Sequence, residues 1–320
     1  MSEPLQATAP ARVANHGVWR VTKLVFAASA LIFLVTIIIG FLNVFTAGAL
    51  PRWQLLVHLH SATLGWITLS AFGATVWLFT GERSVSGAYV VRVRWLARVM
   101  IAAFVGLIAG FGIAFSQGGD ALYLLAVLAP LAALTTWAAA AFFLHQLTRL
   151  PVVTTAHLLT TAGFLVLALA VVFGNVLALG QAGILSVPDF ALIGHVFGIL
   201  GYQVLVVTGL IEWLVVRERG GWTRTGVLQV GLGVLLGIWM PLLLVLSVAG
   251  LPKELLPMLL IVGVLVMLLL FGGLFFGRVG VKALRTNPLT AGVDAYGLGF
   301  LAVTGVLMTS YLGTQIQAGG

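Results

Sequence analysis

Six histidines and no cysteine define the chemistry open to this chain of 320 residues. Without thiols there is no disulfide, no thiolate metal site, no iron–sulfur cluster and no Cys-x-x-Cys-His attachment motif. Metal or redox chemistry would have to rest on imidazole nitrogen. Three histidines have suggestive settings: His58 and His60 stand two residues apart, and His195 lies among Gly194, Gly198 and Gly201. Two neutral imidazoles facing each other at one level form the axial ligand set of a b-type haem iron. On an α-helix a spacing of two turns the side chains about 200° apart. His58 and His60 therefore cannot easily serve one centre; one would ligate the iron and the other would face a second group or partner.

The elements that position these side chains follow from composition. Only 8% of residues are charged and 61% are hydrophobic, too little charge for a water-facing surface and too much apolar area for disorder. A soluble enzyme is excluded, and an all-α polytopic membrane helix bundle is expected. The formal charge of +8 is scattered between apolar runs, which argues against a nucleic-acid partner. Runs long enough to span a bilayer fall near 24–47, 53–80, 96–116, 121–144, 152–179, 189–216, 226–249, 255–277 and 293–313, about nine helices. Turn residues such as Pro51-Arg52, Gly118-Gly119-Asp120 and Pro188-Asp189 separate them, with no linker for a soluble domain. The expected organisation is a cytoplasmic tail over 1–23 and one transmembrane domain over 24–315. Fourteen of the 16 cations fall on alternate loops, leaving only Arg52 and Lys253 on the other side. Lys and Arg are retained inside, so the N-terminus is expected inside and the C-terminus outside, in a bacterial or archaeal cytoplasmic membrane. Ala47-Gly48-Ala49 has the pattern of a signal cleavage site, but the preceding run is longer than a signal core and reads as a permanent span.

Direction converts position into depth. His58 and His60 follow Trp53 by five and seven residues, roughly 8–10 Å below the outer boundary, and His195 follows Asp189 by six, reaching nearly the same level as His60. Ionisable groups inside a span are costly and usually functional. His60 and His195 are therefore expected to hold one b haem, with His58 the third candidate ligand. Gly65, Gly194, Gly198 and Gly201 would admit a flat macrocycle, or equally serve close helix packing. Arg52, with Lys253, is the outer cation available to haem propionates. His157, about 9 Å from the inner boundary, and His145 would hold a second haem; a core role for His157 and a capping role for His145 are the alternative. Glu212 is expected to pair with Arg217 and Arg219 near the inner surface, and no hydrolase or phosphate-binding motif is present.

The run His58-Leu59-His60-Ser61-Ala62-Thr63-Leu64-Gly65-Trp66, continuing to Gly73, resembles the haem-ligand helices of the catalytic subunits of haem-copper oxidases and nitric oxide reductases. The resemblance implies that His60 is the low-spin haem ligand, and that His195 occupies the helix that gives the family its first copper ligand. It departs from the family in three ways. The His-His pair of the copper site is missing, so copper has no motif to hold it. Ile199 stands four residues after His195, where the family carries Tyr or Glu, with Tyr202 three residues further on. Nine helices replace at least twelve. The function so implied is electron transfer or diatomic gas chemistry with O2 or NO, as an oxidoreductase or carrier, with a redox partner protein or the gas itself as partner. The alternative is a transporter or channel in which the intramembrane His, Asn43, Asn175, Gln203 and Glu212 line a polar path; no internal repeat or matched pair of broken helices supports it.

Overall fold

A computed structural model describes residues 9–46, 48–81, 85–188, 190–216 and 221–281, and among them all regular structure is helical. Helix α1 spans Ala9–Phe45, and the second span is built of α2 (Arg52–His60), a π-helix (Ser61–Thr68) and α3 (Leu69–Thr80). Then follow α4 (Gly87–Gln117), α5 (Tyr123–Leu147), α6 (Thr155–Gln181), α7 (Phe190–Val216), α8 (Arg224–Val248) and α9 (Leu256–Phe275), which ends in a second π-helical turn, Phe276–Gly280. Seven of these spans are long and apolar enough to cross a membrane. The eighth is broken, because Pro241 cannot complete the helix ladder and the segments Arg224–Trp239 and Pro241–Val248 meet at 63°. The chain is thus an integral membrane protein. Eight of the expected runs correspond to these helices; the ninth, 293–313, lies outside the described residues. Helix α1 begins well before its apolar run, taking Arg12, Arg20 and Lys23 into the helix, so most of the expected 1–23 tail is helical.

Small residues set the packing. At Gly163 an added methyl would meet Leu205 and Val206, at Gly198 it would meet Ala170, and at Gly201 it would meet the backbone of Gly237. Without a hydrophobic drive between helices in lipid, such close approach is what holds α6, α7 and α8 together. This corrects one of the two readings of the glycines beside His195: Gly198 and Gly201 are occupied by neighbouring helices, and Gly194 by the ring of Phe173. Gly65 likewise faces Ile32 and Ile108, so none of the four lines a macrocycle.

Glu212 also has a partner far away in sequence. Its carboxylate accepts from Arg278 Nη2 at 2.6 Å and Nη1 at 3.2 Å, while Nη1 also donates to Gln229 Oε1 at 2.7 Å. Arg217 and Arg219 lie outside the described residues. The contact is buried and ties α7 and α8 to the terminal π-helical turn; nothing local in sequence marks it, since 66 residues separate the partners. Removing one member strands a buried charge, which costs about 3–5 kcal/mol, whereas replacing both with apolar residues costs little. Glu212→Met is therefore expected to lower unfolding stability by that amount and Glu212→Met with Arg278→Met by much less, measured by detergent-induced unfolding.

Candidate functional site: three intramembrane histidines

The α2 end that carries His58 and His60 runs straight into the π-helix, a wide turn frequent at functional sites. Added hydroxyl bonds support its altered pitch in an apolar setting. Thr63 donates to the Leu59 carbonyl at 2.8 Å, Thr68 to that of Thr63 at 2.7 Å, and Ser29 of α1 to that of Trp66 at 2.9 Å. The wide turn also sets the register against α7. His60 lies within electrostatic range of His195, and the Tyr202 hydroxyl faces Thr68. Two turns therefore hold seven residues on α7 and eight on its neighbour, and the two helices run parallel through both contacts.

All three imidazoles are anchored in the same way. Nδ1–H donates to a carbonyl in each: His58 to Thr36 of α1 at 2.9 Å, His60 to Leu56 at 2.8 Å, and His195 to Ala170 of α6 at 2.9 Å. A carbonyl only accepts, so the proton resides on Nδ1 and Nε2 carries the lone pair. That is the arrangement that orients a metal-bound histidine and raises its basicity. His58 and His60 diverge as the helix requires, the first toward α1 and the second toward α4 and α7. The ring of His58 lies against Gly40 and that of His195 against Gly174. His60 stacks on Phe111, with centroids 3.8 Å apart and planes 24° apart. Phe111 stacks in turn on Phe115, over which the Arg52 guanidinium sits at 5.8 Å. A cation and two rings thus connect the mouth of the bundle to His60.

The inner histidines have other surroundings. Helix α6 starts at Thr155, so His157 lies in its first turn, about 3 Å from the helix start rather than 9 Å. Its Nδ1 accepts the Thr154 backbone N–H at 3.2 Å while the Thr154 hydroxyl accepts the His157 N–H, a reciprocal capping box. His145 is exposed in the last turn of α5. The capping role thus falls to His157, whose Nδ1 is engaged with Thr154.

As donors, His60 and His195 fit an iron porphyrin: each is fixed through Nδ1 and open at Nε2. Packing imposes one rearrangement, because Phe111 covers one face of His60 and a porphyrin between α2 and α7 must displace it. The cavity of about 290 Å³ lined by Ile32, Val35, Trp53, Val57, Ser61 and α4 includes neither histidine. No cluster of three or more metal-binding side chains occurs among the described residues.

The fold and site together define an all-helical protein of membrane-length apolar helices that carries three imidazoles, each bonded to a backbone carbonyl. Comparison of the chain with protein-family models, curated proteins and solved structures returns no match. The resemblance to the oxidase and nitric oxide reductase subunits therefore rests on the residues His58 to Gly73 and on the placement of His195.

Proposed function

We propose that this chain is a membrane b-type haem protein of haem-copper oxidase-like character, in which His60 and His195 would hold the haem. The observation that carries this reading is the shared anchoring through Nδ1 of two imidazoles within electrostatic range of each other, which leaves both Nε2 atoms available as ligands. When bound, haem supplies one-electron redox chemistry, for electron transfer or reaction with O2 or NO. The Leu56 and Ala170 carbonyls orient the imidazoles and strengthen them as ligands. The surrounding apolar helices would keep water from the group, and Arg52 stands where propionates would find a cation. The N-terminus is inside a bacterial or archaeal cytoplasmic membrane, so the site lies in the outer half, and a redox partner docks outside or the gas arrives through lipid. Copper has no ligand set here.

The test is a dithionite-reduced minus oxidised visible spectrum of protein purified after expression with ample haem. A Soret band and a b-type α-band are expected; their absence sinks the reading and leaves the polar-path transporter. His58 points to α1, so His58→Ala is expected to keep full haem content while changing reactivity with NO or CO, measured by ligand-binding kinetics on the reduced protein.

A further inference from the structure

Several buried hydroxyls in the bundle are satisfied by the helix they sit on. Thr80, Thr136, Thr160 and Thr208 each donate to the carbonyl four residues back. Thr75, Thr161 and Tyr202 do not. Their hydroxyls are 0%, 2% and 1% exposed by residue and have no hydrogen-bond partner among the described residues. A tyrosine hydroxyl has no such carbonyl in reach of its own helix, and a buried polar group without a protein partner calls for water or an ion.

These three are placed in sequence through the interior. Phe79 of α3 meets the ring of His157 edge-on, with centroids 4.8 Å apart. Thr75 is four residues before Phe79 and Thr161 four after His157, and α3 and α6 run in opposite directions. Both hydroxyls therefore lie one turn from that contact, on the contacting faces, toward the His60 end. Phe164, three residues past Thr161, meets Tyr202 at 5.7 Å, and the Tyr202 hydroxyl faces Thr68. One helical turn rises about 5.4 Å and a hydroxyl–water–hydroxyl bridge spans about 5.6 Å, so bridging water matches the scale on which these side chains are set, while Tyr202 faces Thr68 directly.

We propose that bound water molecules link Thr161, Thr75 and Tyr202 in a file that starts one turn from the His157 cap and ends where Tyr202 meets Thr68. That the file serves the His60–His195 pair rests on the haem reading; the bound water does not.

The experiment is X-ray radiolytic labelling of the full-length protein in detergent, read by mass spectrometry, in which radicals born from bound water modify the side chains beside it. Tyr202 and Phe164 are expected to be labelled at least tenfold faster than Phe104, which is equally buried but on α4. The near-isosteric pair Thr75→Val and Thr161→Val is expected to reduce labelling of Tyr202 at least threefold and leave exposed Trp19 unchanged. Labelling of Tyr202 no faster than that of Phe104, or unaffected by the two valines, overturns the proposal. If the double variant does not fold, the wild-type ratio decides alone. No haem is needed for the measurement, so its failure is separate from failure of the haem reading.

Discussion

His60→Ala and His195→Ala are each expected to reduce haem content per protein more than tenfold, with the helical protein still inserted and extractable. The two imidazoles would hold the proposed haem from different spans, His60 at the end of α2 and His195 on α7, so neither helix could replace the other's ligand. Loss of a group that merely orients a ligand already costs 10–100-fold in metal affinity, and loss of the ligand itself costs more. Both side chains are only partly buried, so truncation leaves the fold in place. His16, exposed at the start of α1, provides the control: His16→Ala is expected to change nothing. The measurement is pyridine haemochrome absorbance per mole of purified protein. If both alanine variants keep full haem content, the ligand assignment is wrong even where the class is right.

Gly174→Val is expected to lower haem content roughly tenfold without touching a ligand. A methyl built at Gly174 stands 2.9 Å from Cε1 and 3.1 Å from Nδ1 of His195, closer than ordinary contact. Alanine obliges the ring to give by a few tenths of an ångström; the branched valine forces it off the Ala170 carbonyl on the same face of α6. Orientation then fails in the way a lost supporting hydrogen bond fails, which sets the magnitude. Gly174→Ala is expected to fall between wild type and Gly174→Val, and Gly272→Val, with open space around it, to show full haem content by the same assay. Gly40→Val, which crowds His58 at 3.2 Å, is expected to alter gas binding and spare haem content.

The positions of the spans were legible because each apolar run must match the bilayer thickness and each boundary carries Pro or Gly. Counting rise from those boundaries gives His60 and His195 a common level, and the structure has the two within electrostatic range. What orients the rings was not: Thr36, Leu56 and Ala170 act through carbonyls, which every residue possesses. Gly40 and Gly174 carry no mark beyond being glycine, and Gly198 and Gly201 looked the same while serving helix packing. The π-helix has no periodic signature in eight residues, yet its only trace, the hydroxyls of Ser61, Thr63 and Thr68, was on view. Glu212 and Arg278 meet only through folding of α7, α8 and α9. Thr154 followed by His157 did have the spacing of a capping box, and a helix start set three residues too early concealed it.

Near-infrared magnetic circular dichroism of the oxidised protein addresses the central claim most directly, because it reports the chemical identity of both axial ligands of a low-spin ferric haem. Two histidine nitrogens are predicted in the wild-type protein, with that signature lost in His195→Ala. A haem with any other ligand pair, or a bis-histidine signature that persists in both His60→Ala and His195→Ala, would contradict the account.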